Sequence, residues 1–189
     1  MLDMTPRLVG FFPKRNDYEN PFADQGIVEI CSVSQCIRRG PEEWVELWKH
    51  NDVGFYNSEE MALSIIAGEE NDYTLFAYKL FLFCYENGVL KTETARLSEA
   101  RALNLSADLS GYVSVGFDVA SHLPSVIHFE CSALSCNCGF REFDVNAYCL
   151  LPNLDSAMAA QKKISERNYE PGEQYLLQVY KQPDVDGSP

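Results

Sequence analysis

Val9-Gly10-Phe11 recurs later in the chain as Val115-Gly116-Phe117, about 100 residues further along. Three more pairs of matching segments follow in the same order. They are Cys31-Ser32 with Cys36 and Cys131-Ser132 with Cys136, then Ser58 with Met61-Ala62 and Asp155 with Met158-Ala159, then Tyr73 with Tyr78-Lys79 and Tyr175 with Tyr180-Lys181. Four matches in one order at a nearly constant separation predict an internal duplication.

Hydrophobic periodicity predicts the same element order in both halves: strand, strand, cysteine loop, helix, helix, strand. In the first half the predicted strands are 6–12, 27–31 and 73–85, and the predicted helices are 41–51 and 58–68. In the second half the predicted strands are 112–119, 126–131 and 175–181, and the predicted helical segments are 141–150 and 155–167. Asn87-Gly88 favours a tight hairpin turn, with a returning strand at 89–94.

These elements predict an α+β fold with a mostly antiparallel sheet, in which two similar units pack around a pseudo-twofold axis. The first repeat half is expected to span residues 1–105 and the second residues 106–189. Because each half is small, we expect them to share one core and form one globular unit. The tail from residue 183 is expected to be loose.

Composition limits the classes of partner. The chain has 189 residues with 15 basic and 28 acidic side chains, giving a net charge of −13. Such a charge repels nucleic acid and anionic lipid alike, so neither is an expected partner. We see no signal peptide and no apolar run long enough to span a bilayer, which favours a soluble cytoplasmic protein.

One stretch, residues 50–78, contains six acids and neither Lys nor Arg. The acids are Asp52, Glu59, Glu60, Glu69, Glu70 and Asp72. This stretch predicts a surface that binds a basic protein, as inhibitors and immunity-type proteins do by charge complementarity. The alternative is an ordinary solvated face that keeps the chain soluble.

Seven cysteines without a signal peptide favour reduced thiols over a disulfide framework. The repeated loops could place Cys31, Cys36, Cys131 and Cys136 around one zinc ion if the loops meet. The alternatives are a disulfide within either loop and inert packing of buried thiols. Apart from possible zinc, the sequence predicts no cofactor.

The common catalytic motifs are absent, so the leading hypothesis is an acidic binding protein without catalytic activity. A second hypothesis is a small-molecule binding module with a cleft between the halves. A third is a cysteine-dependent or zinc-assisted enzyme. Its nucleophile would be Cys131, Cys136 or Cys138, its base His122 or His128, and its orienting group Asp118 or Asn137. The oligomeric state stays open.

Overall fold

A computed structural model describes residues 3–41, 49–92, 105–122, 129 and 131–183. The strands are β1 (Arg7–Arg15), β2 (Tyr73–Glu86), β3 (Val89–Lys91), β4 (Val113–His122), β5 (Cys131–Ser132) and β6 (Glu173–Lys181). The helices are α1 (Glu59–Ile65) and α2 (Leu154–Arg167), and short 3₁₀ turns lie at Ala23–Gln25, Glu70–Asp72 and Gly139–Glu142. The predicted α+β class is confirmed.

The strands form one sheet in the order β1-β2-β6-β4-β5, and β3 pairs with β2. Every one of these pairings is antiparallel, which confirms the prediction of a mostly antiparallel sheet. The central pair is β2 and β6, one from each predicted half, so the two halves contribute to a continuous sheet. In the core, α1 packs on β1, whereas α2 packs on β6, β4 and β2.

The long strand β2 forms because its apolar residues occupy both alternating faces and both faces are covered. Leu80 and Phe81 are neighbours in the chain and lie in different clusters of buried side chains. The strand ends at a tight turn in which Asn87 and Gly88 have φ of 51° and 75°. Positive φ at both positions is what the Asn-Gly pair favours, and the predicted hairpin is confirmed.

Several local predictions are wrong. Residues 27–31 form no strand. The backbone N–H groups of Val28 and Glu29 both donate to the carbonyl of Ala147, so they do not form the regular hydrogen bonds of a sheet. Residues 141–150 form no α-helix beyond the end of a 3₁₀ turn. α2 begins one residue before Asp155, and its N-cap is Asn153. Most of the predicted helix at 41–51, much of the predicted strand at 126–131 and the tail beyond 183 lie outside the described residues.

The two Val-Gly-Phe segments are β-bulges in β1 and β4. The ladder register shifts between Leu8 and Gly10 and again between Ser114 and Gly116. Gly10 has φ of 141° and Gly116 has φ of 140°. A Cβ atom on Gly10 would lie 2.5 Å from the carbonyl oxygen of Tyr56, so each bulge needs a residue without a side chain.

An asparagine closes a turn beside each bulge. The Asn51 side chain donates to the Val9 carbonyl at 2.9 Å and accepts from the N–H groups of Val53 and Phe55, both at 3.1 Å. In the second half Asn146 makes the corresponding contacts, donating to Val115 at 2.7 Å and accepting from Tyr148 at 2.9 Å and Leu150 at 3.2 Å. Seven residues after each asparagine stands the N-cap of a helix, Ser58 or Asn153.

Candidate metal centre

Residues 31–38 form the first cysteine loop and residues 131–138 form the second cysteine loop, and the two loops lie side by side. The hydroxyl groups of Ser32 and Ser135 are hydrogen-bonded at 2.8 Å. The Ser34 hydroxyl lies 2.7 Å from the Cys136 sulfur. The sequence alone left open whether the loops meet, and these contacts show that they do.

Three thiols converge where the loops meet. The sulfur atoms of Cys36, Cys131 and Cys136 all lie within 4.8 Å of one another, and we call them the three-cysteine cluster. Cys36 is exposed, whereas Cys131 and Cys136 are half-buried. Sulfurs bound to a tetrahedral zinc ion lie about 3.8 Å apart, so the separations in the cluster are near those of a zinc site. The cluster could hold a metal ion.

The other two loop cysteines, Cys31 and Cys138, stay outside this group. Cys31, which the sequence included among the metal ligands, is fully buried in the core. Burial raises the pKa of its thiol, and the Glu29 carboxylate adds to that shift. Cys138 is half-buried and begins the next turn with φ of 55°. The structure therefore brings together three of the four cysteines predicted as metal ligands.

A buried lysine holds the first cysteine loop. Lys14, at the end of β1, has no solvent exposure and donates to the carbonyls of Ser32 at 2.5 Å and Ser34 at 2.7 Å. Burial lowers the pKa of its amine to about 7, and the nearby charge of Arg38 contributes in the same direction. Lys14 therefore holds the Ser32 and Ser34 carbonyls in the part of the loop that precedes Cys36.

A buried aspartate joins both loops. Asp118 in β4 accepts from the backbone N–H of Val33 at 2.7 Å and from the hydroxyl of Ser132 at 2.5 Å. Val33 belongs to the first cysteine loop and Ser132 to the second. Burial raises the pKa of Asp118, although both hydrogen bonds oppose this shift. One carboxyl group therefore sets the position of the loops relative to each other.

Arg38 anchors the end of the first cysteine loop. Its guanidinium contacts the rings of Tyr18 and Phe76, and its Cζ atom lies 5.1 Å from each ring centroid. It pairs with Glu29 at 2.5 Å and donates to Asn16 at 2.7 Å. A fully buried arginine with these partners leaves the chain little freedom two residues after Cys36.

Burial disfavours the charged thiolate form of both half-buried thiols. Burial raises the pKa of Cys131, and the adjacent Cys136 sulfur raises it further. Burial also raises the pKa of Cys136, against the hydrogen bond from Ser34. Metal binding displaces thiol protons, because the thiolate is the ligand.

The pKa of Lys14 predicts a specific dependence of stability on pH. Its pKa is about 7 in the folded state against an ordinary value of 10.5, so between these values the unfolded chain binds more protons. The free energy of unfolding should therefore rise with pH in this window, by at most about 1.4 kcal/mol per pH unit. Below pH 7 Lys14 is protonated in the folded and the unfolded state, so it adds no pH dependence to the free energy of unfolding.

The measurement is urea unfolding of reduced, chelator-treated wild-type protein and of Lys14→Met at several pH values between about 7 and 9. Wild-type protein should gain stability relative to the variant as pH rises. Buried thiols with a raised pKa make the free energy of unfolding fall as pH rises. Subtracting the curve of the variant from that of wild type removes this contribution. Parallel curves for the two proteins would contradict the assigned pKa.

The predicted partner-binding acids lie along and beyond α1. Glu59 and Glu60 are in its first turn, Asp52 lies in the turn before it, and Glu69, Glu70 and Asp72 lie between it and β2. Five of the six are exposed, and Glu59 is half-buried beside Tyr112. Their placement leaves them accessible to another molecule.

The residues predicted for a thiol enzyme have other contacts. Asp118 bonds the two loops, and Asn137 donates to the carbonyl of Tyr169 and the carboxylate of Glu170, both at 2.6 Å. The His122 ring packs against the rings of Phe129 and Tyr175. His128 lies outside the described residues. The enzyme hypothesis stays a prediction.

Comparisons with protein-family models, with curated proteins and with solved structures returned no match. Within the described part of the chain, neither α1 nor α2 combines the length and the apolar content that crossing a bilayer needs. The assignment of a function therefore depends on the chemistry and geometry of the site.

Proposed function

We propose that the protein binds a thiophilic metal ion, zinc in the first place, through Cys36, Cys131 and Cys136. The observation that carries this proposal is the convergence of the three sulfurs within 4.8 Å from loops far apart in the sequence. Three thiolates form a soft ligand set, which selects zinc, copper(I) or iron–sulfur chemistry over magnesium or calcium.

The buried network supports the proposal, because a metal site needs ligands held in place by neighbouring groups. Lys14 fixes the first cysteine loop, and Asp118 bonds both loops. Burying two ionisable groups is costly unless they are hydrogen-bonded and compensated. The chain nevertheless buries Lys14 and Asp118 against the loops that carry the thiols. This burial supports a site in which the loop geometry is fixed.

The test is competition for zinc against a chromophoric chelator, with reductant present, on wild-type protein and single cysteine variants. Wild type should bind one zinc ion. Cys36→Ser, Cys131→Ser and Cys136→Ser should each lose more affinity than the roughly 10–100-fold that loss of an outer hydrogen-bonding partner costs. Cys138→Ser is the matched control and should bind like wild type. Equal losses in all four variants would overturn the assignment.

We also propose that the two loops descend from one duplicated unit. Support comes from the bulges at Gly10 and Gly116 and the turns closed by Asn51 and Asn146. The order β1-β2-β6-β4 fits a pseudo-twofold axis between β2 and β6. When the two asparagine turns are aligned, the counterpart of Ser58 is Asn153. The sequence match paired Ser58 with Asp155, which lies two residues further along.

A second candidate function is binding of a basic protein by the acidic stretch. It is favoured by the exposure of five of its six acids and by a net charge of −13. Charge complementarity of this kind raises association rates and weakens with salt.

Calorimetric titration with poly-L-lysine at low and high salt tests this candidate. The double variant Glu60→Lys and Glu70→Lys should bind less tightly than Glu19→Lys and Asp24→Lys, an exposed pair outside the stretch that changes the net charge equally. Equal weakening of both double variants would show that only net charge matters and would reject a dedicated surface.

A further inference from the structure

We propose that the three-cysteine cluster is also a site of reversible oxidation, at which a hydroperoxide converts Cys36 and one thiol of the second cysteine loop into a disulfide. The disulfide joins loops that are otherwise linked by hydrogen bonds. Its formation does not depend on the metal proposal. Only the consequence for metal binding rests on the proposed function.

Access to the cluster is through Cys36. It is the exposed member, and it lines an open surface cavity of about 590 Å³ together with Arg15, Tyr18 and Arg39. A small hydroperoxide can therefore reach its sulfur from solvent. By contrast Cys31, Cys84 and Cys149 are fully buried. The susceptibility of a thiol to oxidation follows its exposure and its thiolate character, and Cys36 has the exposure.

The second thiol is already in place. Cys131 and Cys136 each have their sulfur within 4.8 Å of the Cys36 sulfur, and a disulfide needs about 2.05 Å. The other cysteine of the first loop, Cys31, is enclosed in the core and lies outside the cluster. The geometry therefore favours a bond between the loops over a bond within the first loop.

The reaction balances in two steps. The Cys36 sulfur attacks the hydroperoxide, the O–O bond breaks, and the products are the sulfenic acid of Cys36 and an alcohol. The thiol of Cys131 or Cys136 then attacks the oxidised sulfur, the S–S bond forms, and water leaves with the thiol proton. Two thiols are oxidised and one hydroperoxide is reduced. A thiol reductant reverses the change by exchange.

Oxidation and metal binding exclude each other, because the disulfide uses two of the three ligands. One thiol remains, and a single cysteine does not hold zinc in the manner of a three-thiolate site. The oxidised protein should therefore release its metal, and the reduced protein should bind it again.

The experiment treats reduced, metal-free full-length protein with tert-butyl hydroperoxide and digests it with trypsin without reductant. Cys31 and Cys36 lie in tryptic peptide 16–38, and Cys131, Cys136 and Cys138 lie in tryptic peptide 102–141. The expected product is a cross-link between these two peptides, absent in Cys36→Ser and retained in Cys138→Ser. A link confined to one peptide, or sulfinic acid without a cross-link, overturns the proposal.

Zinc-loaded protein treated in the same way, with a colorimetric zinc reporter, separates the two proposals. Release of zinc in step with the cross-link supports both. A cross-link in a protein that never bound zinc supports the oxidation site and rejects the metal function. Zinc retained after complete cross-linking rejects the claim that the two states exclude each other.

Discussion

Replacement of Asp118 by alanine is expected to lower the free energy of unfolding by about 3–5 kcal/mol, the range for removing one partner from a buried charged network. The variant leaves the Val33 N–H and the Ser132 hydroxyl without their acceptor. It also removes the carboxyl group whose charge opposes the lowering of the Lys14 pKa. Urea unfolding of the reduced protein measures the loss.

Asp118→Asn is the matched control, because it keeps the shape of the side chain and one acceptor oxygen. We expect it to lose clearly less stability than Asp118→Ala. It should still weaken zinc binding, because each carboxyl oxygen of Asp118 accepts one hydrogen bond from a loop and the amide NH₂ group cannot accept either of them. If Asp118→Ala were as stable as wild type, the buried network would not hold the loops.

Alanine at Gly10 or Gly116 is expected to destabilise the fold by about 2–6 kcal/mol, because steric overlap and an unfavourable positive φ each cost about 1–3 kcal/mol. At Gly10 the new Cβ would lie 2.5 Å from the carbonyl oxygen of Tyr56, and at Gly116 it would lie 2.8 Å from that of Leu151. Both obstacles are backbone atoms, which cannot rotate away. Thermal or urea unfolding measures the effect.

Gly111→Ala is the control for this pair, because a Cβ there meets nothing within 4 Å. Its stability should stay within about 0.5 kcal/mol of wild type, as for ordinary surface substitutions. Similar effects at Gly10 and Gly116 are expected because their surroundings are alike. A mild change at either glycine would contradict the bulge geometry.

Local patterns predicted much of the sheet from sequence. The strand β2 could be recognised because it is apolar on both faces, and its hairpin because Asn-Gly favours positive φ. Ser58 predicted the start of α1 because its side chain caps the helix. These features depend on neighbouring residues, so one sequence suffices to find them.

Alternation failed at the bulges. In β4 a strict period of two places Asp118 on the polar face with Ser114, but the bulge at Gly116 shifts the pairing and Asp118 is fully buried. A glycine inside a strand is a known signal of a bulge, and the repeated Val-Gly-Phe contained that signal. The burial of Asp118 could have been suspected from it.

The site depends on contacts between distant residues, which sequence patterns do not specify. Four cysteines matched between the halves, yet the fold places Cys31 in the core and brings only the other three together. Lys14 and Arg38 were missed because basic side chains are rarely fully buried. Only the folded arrangement of the two loops shows which groups Lys14 and Arg38 bind.

The most direct test of the metal proposal is native mass spectrometry of protein purified with reductant and supplied with excess zinc. We predict the mass of one chain with one zinc ion, lost on adding a chelator and absent in Cys136→Ser. A bare reduced chain under the same conditions would contradict the proposal, and the three thiols would then have to be explained without a metal.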